Sequence, residues 1–394
     1  MRQVIKGLKT TEGKEISIQL EKGVIVGFEN QGDDIIDLSG CTVITGLLDM
    51  KTNLCDPGYE HKEDLNTGLQ AAMAGGFTSV CQVPNVLPVL DSKTALAYVI
   101  NRSKMELVDV LPIGALTKGL KGIELAEHFD LNDGGAIAFS EGYTSIDHTG
   151  ILLKSLQYVQ PIDGLVISNP YDKYLVGGGL VHEGYSSTVM GLKGIPSLAE
   201  SSAIQRDLDV LRYTGGKLHL SGVSTQEAVA LIKNAKEEGL KVTADVHALN
   251  LLFNDSTTEE LDTHFKVFPP LRGEEDRLAL VRGVKEGIID VIVSNHQPHE
   301  EDAKKLEFDY ADFGAEMLEG TLAGLLTFTS LSLAEIENAM SLHARGILKL
   351  EQPMFEIGEI FNATAVDLDE AWVFEKSSIK SKSKNSPFIG KQLK

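Results

Sequence analysis

Basic side chains are in short supply in this chain. Lysine and arginine number 36 against 57 aspartates and glutamates, a formal net charge of −21 over 394 residues. That deficit argues against nucleic-acid binding, where affinity comes largely from neutralising phosphates. Cysteine is scarce too. Cys41, Cys55 and Cys81 are too few for a disulfide framework and suit a reducing compartment. No apolar run reaches the ~18 residues of a membrane-spanning helix. The opening Met1-Arg2-Gln3-Val4-Ile5 has neither the apolar stretch nor the cleavage signal of a secretory leader. A cytoplasmic location is expected, with neither membrane nor nucleic acid as partner. No internal repeat or low-complexity segment appears. What is present, 42% hydrophobic and 24% charged residues, is the make-up of a globular protein. The length accommodates an α/β barrel of roughly 250 residues with a smaller unit beside it.

The first residues read as short strands, Val4-Ile5-Lys6-Gly7, Glu15–Leu20 and Gly23–Phe28, broken by Gly, Asn and Asp. From Thr42 short apolar strands alternate with amphipathic segments of helical length. Strands are expected at 43–50, 78–83, 109–116, 135–140, 165–168, 217–220, 241–246 and 290–294. Helices are expected at 64–74, 92–103, 200–214, 225–238 and 274–286. Eight strands, each followed by a crossover, are what a (β/α)8 barrel requires, with a doubly wound open sheet as the competing arrangement. The helical pattern ends after Ser341, and 364–374 reads as strand again. The expected fold is α/β: a (β/α)8 TIM barrel at 46–345, flanked by a small β-sandwich domain built from 1–45 and 346–394. The tail carries Lys380, Lys382, Lys384, Lys391 and Lys394, with no acid after Glu375. It reads as a solvated stretch folded over an acidic body, or else as an anion-binding or partner-docking segment.

In barrel enzymes the reacting groups come from the carboxyl ends of the strands. Strand one ends Asp49-Met50-Lys51-Thr52-Asn53-Leu54-Cys55, and alternation places Asp49, Lys51 and Asn53 on one face. The later strands end in Ser140-Glu141, Ser168-Asn169, His219-Leu220-Ser221-Gly222, Asp245-Val246-His247 and Ser294-Asn295-His296. A binuclear hydrolytic site needs converging imidazoles and carboxylates, whereas this set supplies an ammonium, amides and a glycine. A relocated metal site among His219, His247, His296 and His299, with Asp245 and Asp290 nearby, is the rival reading. His219, however, has the opposite parity to Gly222, so it faces the helical layer if Gly222 faces the interior. These histidines, and His61, read as packing or loop residues. Cys55 and Cys81 lack any local signature of a nucleophile and read as small buried hydrophobes. Gly177-Gly178-Gly179 lacks the Lys-Ser/Thr ending of a P-loop and reads as a flexible loop.

Residues 42–64, with Gly46-Leu47-Leu48-Asp49-Met50 and Asp56-Pro57-Gly58-Tyr59-Glu60-His61-Lys62-Glu63-Asp64, resemble the entry motif of dihydroorotases. These are cyclic amidohydrolases of pyrimidine biosynthesis, close to allantoinases and dihydropyrimidinases. The resemblance continues in order through Ala74-Gly75-Gly76-Phe77-Thr78, Val83-Pro84-Asn85, Gly194-Ile195-Pro196, Leu218-His219 and Phe268-Pro269-Pro270-Leu271-Arg272. Ile289-Asp290-Val291-Ile292, His296-Gln297-Pro298-His299 and Ser383-Lys384-Asn385-Ser386-Pro387-Phe388-Ile389-Gly390 complete it, so it covers nearly the whole chain. It implies an amidohydrolase barrel with a small β-sandwich domain and a zinc-dependent conversion of carbamoyl aspartate to dihydroorotate.

The functional positions implied by that resemblance are filled differently here. The family's His-x-His metal pair falls on Lys51 and Asn53, two further histidines fall on Asn169 and Gly222, and the catalytic aspartate falls on Asn295. The bridging ligand of this branch aligns near Glu141, the one remnant with suitable chemistry. The substrate-clamping arginine falls on Cys55, and the Asn before the Pro-Pro-Leu-Arg motif is Phe268. Of the substrate shell only Asn85 and His296 stay in place, so the remnant pocket would comprise Asn85, His296, Cys55 and Phe268. An amide such as Asn295 is no base near neutral pH, and Lys51 puts positive charge where a divalent cation belongs. The expectation is therefore a pseudo-dihydroorotase with no cofactor, zinc entering only if the family activity is retained. The resemblance implies aspartate transcarbamoylase as the first candidate partner, with self-association of the barrels as one component. An active dihydroorotase and a small-molecule sensor using the remnant pocket are the alternatives. With the cations gone, Lys51 is expected within salt-bridge distance of a carboxylate, Glu141 first.

Overall fold

A computed structural model describes residues 2–394. Near the start, Gln3–Lys9, Glu15–Glu21 and Val24–Gly27 pair as an antiparallel meander. Ile5, Leu8, Ile18, Leu20 and Ile25 pack together on one of its faces with Val43. Thr42–Thr45 pairs antiparallel with Ala363–Val366, so residues from both ends of the chain share one sheet.

The strand expected at 43–50 is two strands. Thr42–Thr45 belongs to this small sheet, while Leu47–Thr52 runs parallel to Phe77–Gln82 inside the barrel. Gly46 is the switch, because a side chain there would collide with Asn362 and Thr78. Parallel pairing continues from Phe77–Gln82 to Asp109–Pro112. It then runs from Gly114–Ala115 through Phe139–Ser140, Val166–Ser168, Leu218–Leu220 and Val242–His247 to Val291–Val293. The ring closes where Thr52 bridges His296 and the Asn53 N–H donates to the His296 carbonyl at 2.9 Å. The barrel read from the alternation is the one that forms, and the open sheet is excluded.

Outside the ring lie helices including Leu65–Ala74, Lys93–Ser103, Leu198–Thr214, Gln226–Glu237 and Glu274–Lys285. The side chains of Asp64, Ser92 and Thr225 accept from the third residue onward and satisfy otherwise unpaired amides. Leu69, Leu96, Leu208, Ile232 and Leu280 of these helices share one core with the outward strand residues Val80, Val166, Leu218 and Ile292. Each such fully buried side chain stabilises by ~1.5–3 kcal/mol. A second cluster fills the barrel: Leu48, Met50, Ile113, Ile167, Val291 and Val293, with Ala344 and Leu348 packed on it. The helical pattern therefore runs past Ser341, through His343–Leu348, and its last turns plug the barrel floor. The strand expected at 364–374 is broken into Ala363–Val366 and Trp372–Val373 by the acidic turn Asp367–Glu370. Among the described residues no helix is long and apolar enough to cross a membrane.

The tail is no solvated appendage. Ser381, Ser383, Asn385, Ser386 and Phe388 are buried. Buried Glu63 receives the Ser381 hydroxyl and the Lys382 amide, and Glu319 receives the amides of Lys380 and Ser381. The residues beyond Glu375 are thus a strap laced to the barrel by carboxylates.

Candidate active site

The geometry at the barrel mouth begins with a bulge. Along the first barrel strand Asp49 pairs with Val80, yet Thr52 pairs with Gln82, so one residue is inserted. An inserted residue reverses which face each later side chain meets. Met50 packs in the barrel interior, and Lys51, its neighbour in sequence, also turns inward. The face shared by Asp49, Lys51 and Asn53 in the alternation argument therefore does not exist. Asp49 is wedged against the eighth strand, accepting from the Ser294 amide at 2.8 Å, the Ser294 hydroxyl and the Thr52 hydroxyl. Burial pushes its pKa up to about 6 against those hydrogen bonds. The Asn53 side chain accepts from the Cys55 amide at 2.9 Å, folding the turn in which Cys55 adopts φ 59°.

Lys51 is 4% exposed. Its ammonium lies 3.3 Å from His247 Nε2 and 3.5 Å from Asn169 Oδ1, over the Tyr143 ring at 5.6 Å from the centroid. The expected Lys51–Glu141 pair does not form. Glu141 instead accepts the Thr117 amide at 2.7 Å, its other oxygen has no partner, and burial raises it to about 7. The carboxylates felt by Lys51 are Asp245 and Asp49. They only partly offset burial, which lowers the Lys51 pKa to about 8.

His219 faces the interior, contrary to the parity argument. Leu218 and Leu220 join the core shared with the helices, and His219, between them, meets Asp245 Oδ2 at 3.0 Å and Thr243 Oγ1 at 2.8 Å. The argument failed because Gly222 lies beyond the strand end at φ 77°, where alternation no longer applies. The Gly222 amide donates to Asp245 Oδ1 at 2.7 Å. Burial opposes ionisation of Asp245, but the His219 contact and the nearby Lys51 outweigh it and hold it at about 2. A Cβ at 222 would stand 2.7 Å from His247 Nε2. Gly222→Ala is therefore expected to lower stability by about 1–3 kcal/mol through backbone strain and this collision. An unchanged urea midpoint would refute the reading.

Asn295 is buried at φ 53°, its amide oxygen unpartnered. Asn85 Oδ1 accepts from the Tyr143 amide at 3.3 Å. His296 is fully buried, 3.8 Å from Glu63 and 3.9 Å from Glu316, and accepts the Met317 amide on Nδ1. Burial drives its pKa down to about 3, so its ring is neutral. Cys55 and Cys81 are buried thiols, with Cys55 pushed up to about 12 chiefly by burial, which leaves neither as a thiolate.

Tyr143 and Tyr171 escaped the sequence reading because both lie in loops with no motif. The Tyr143 hydroxyl reaches the His296 carbonyl at 3.4 Å, and its own carbonyl accepts from Asn169 Nδ2 and the Tyr171 hydroxyl. Phe268 packs edge-on to Tyr171, with ring centroids 4.7 Å apart. The space left among Asn169, Tyr171, Glu200, Gly222, Phe268 and Arg272 is about 10 Å³, enough for about one water.

The family model described as Dihydro-orotase-like matches residues 40–228. A protein named Dihydroorotase from Acetivibrio thermocellus is 39% identical, covering 98% of this chain and 92% of its own length. Another of that name from a Thermoanaerobacter species is 38% identical, covering 100% and 94%. The chain belongs to the dihydroorotase family. Among solved structures, an L-hydantoinase (dihydropyrimidinase) from Arthrobacter aurescens superposes with a TM-score of 0.85 at 22% identity, covering 99% of this chain and 92% of its own. That likeness carries the amidohydrolase barrel with its β-rich flanking domain.

The family's zinc does not fit the groups at this mouth. At positions where the resemblance implies ligands, Lys51 is a cation and Asn169 and Asn295 are neutral amides. Asp245 spends both oxygens on His219 and the Gly222 amide. Among the described residues no three His, Cys, Asp or Glu side chains are grouped to hold a metal ion.

Proposed function

We propose that this dihydroorotase-family chain lacks the family's hydrolytic chemistry and acts as a structural or regulatory partner of aspartate transcarbamoylase. The observation that carries the loss of chemistry is Lys51, a buried ammonium at the barrel mouth seated against Asn169 and His247. A lysine cannot activate water as a divalent cation does, and Asn295 cannot serve as a base. The cavity lined by Asn169, Gly222 and Phe268, about one water in size, gives little support to a sensor there, since small-molecule pockets run to about 300–1,000 Å³. The partner follows from the family resemblance and from a scaffold that matches 92–94% of the length of its relatives and whose charge of −21 suits a basic face.

A second reading, an active zinc-dependent dihydroorotase, is favoured by the name of the relatives at 38–39% identity across almost the whole chain. Fold and family are compatible with either, because function resides in the site grafted onto the scaffold. Elemental analysis after expression in zinc-supplemented medium separates them. The proposal expects no stoichiometric zinc at the barrel mouth, and one or more tightly held ions per chain would overturn it. Co-expression with the transcarbamoylase of the same organism, followed by sizing at low and physiological salt, tests the partnership. Co-elution is expected, and separate elution at both salts would sink it.

A further inference from the structure

The C-terminal strap and the short helix Glu301–Lys304 enclose a second cavity of about 180 Å³, which shares no residue with the barrel mouth. Lys304, Lys305, Lys376, Lys382 and Lys384 line it together with His264, and Glu301 is its one carboxylate. Five lysines and one acid line it, and although Lys382 also pairs with Asp64 at 3.5 Å and His264 with Asp262 at 2.6 Å, the lining reverses the balance of a chain with 36 basic and 57 acidic residues. Lys305 and Lys376 both lie 2.8 Å from the same Glu301 oxygen, so that carboxylate is already shared. Lys304 is 5% exposed and donates to the carbonyls of Asp312 and Gly314 at 2.7 and 2.8 Å. Lys384 donates to the carbonyls of Ile379 and Ser381 at 2.6 and 2.7 Å. Carbonyl dipoles orient these two ammoniums without cancelling their charge. Burial, with the neighbouring Lys266, depresses Lys304 to about 7 against the pull of Asp312 and Asp262, so a bound anion would favour its charged form.

We propose that this cavity binds a small, multiply charged oxyanion: a phosphate group, either free or as the monoester of a small metabolite. Lysine is an established phosphate binder acting as a point charge, and several converging on one dianion give charge-assisted hydrogen bonds. The volume lies below the about 300 Å³ at which small-molecule pockets begin, which favours a phosphate over a nucleotide. The site is independent of whether the barrel retains chemistry.

The test is a phosphorus NMR titration of the full chain with inorganic phosphate, and separately with glycerol phosphate. Thermal melts in phosphate are compared with sodium chloride at equal ionic strength. Binding at millimolar concentration or tighter is expected, with a melting temperature that rises with phosphate and not with the chloride control. Binding of phosphate alone would assign the site to the free anion, and binding of both to the phosphoryl group in general. The double variant Lys305→Gln/Lys376→Gln removes two exposed side chains and should weaken binding at least tenfold. Lys93→Gln/Lys118→Gln, an equal charge change elsewhere, should leave it unaltered. No titration in the wild type, equal effects of chloride, or equal binding in both double variants would overturn the proposal.

Discussion

Purified protein supplied with zinc and either carbamoyl aspartate or dihydroorotate is expected to convert neither at a rate above the uncatalysed reaction. Closing or opening the cyclic amide needs a polarised carbonyl, an activated nucleophile and a group to move a proton. A metal supplies the first two by withdrawing electrons from oxygen and by lowering the pKa of bound water from 15.7 to about 7. A positioned general base contributes about 10²–10⁴-fold more. Here the cation at the mouth is Lys51, which offers hydrogen bonds but no open coordination position, and Asn295 has no basic atom near neutral pH. The expected deficit against a metal-loaded relative is therefore at least about 10⁴-fold in kcat/KM. Asn295→Asp alone is not expected to restore turnover, since Lys51 stays in place and a side chain at 222 would meet His247. Chromatographic assay of both directions, with and without chelator, decides the matter. Chelator-sensitive turnover would return the chain to the active reading.

Much of the scaffold was legible because its signals are local. Eight apolar runs separated by capped amphipathic helices specify a barrel, and Asp64, Ser92 and Thr225 announce three helix starts. The errors arose where one residue alters register. Gly46 splits a continuous apolar run between two sheets, and the bulge between Asp49 and Thr52 turns Lys51 to the side Met50 occupies. His219 was misplaced because parity was carried past the end of its strand to a glycine at positive φ. Composition could not show that a lysine-rich tail would bury Ser381, Ser383 and Asn385, since their partners Glu63 and His299 lie far away in sequence. The assignment of Lys51, Asn53, Asn169, Gly222 and Asn295 to the family's functional positions rests on resemblance alone. The placing of Tyr143 and Tyr171 at the mouth could not be read from the sequence, because loops carry no period from which a direction can be taken.

The stability of this protein is expected to rise between about pH 8 and pH 10.5 by an amount that Lys51→Met abolishes. Lys51 titrates at about 8 in the folded chain against 10.5 for a free lysine, burial outweighing the attraction of Asp245 and Asp49. A folded-state pKa below the unfolded one means that the unfolded chain holds the proton more tightly. Unfolding then takes up protons within that window, and stability increases with pH there. The penalty is fully present below about pH 8 and is lifted as the pH climbs toward 10.5. Its upper size is about 3 kcal/mol. Other groups also titrate there, Lys304 among them, so the informative quantity is the difference between wild type and variant. Breaking a direct buried ion pair would cost about 3–5 kcal/mol. Because Lys51's polar contacts are with Asn169 and His247, Lys51→Met should be no less stable than wild type at pH 7. The gap should then close as the wild-type amine loses its proton. Urea unfolding of both proteins at half-unit steps from pH 7 to 10.5 measures this. Parallel curves would show that Lys51 is solvated rather than sealed in the barrel mouth, and the filled site described above would have to be redrawn.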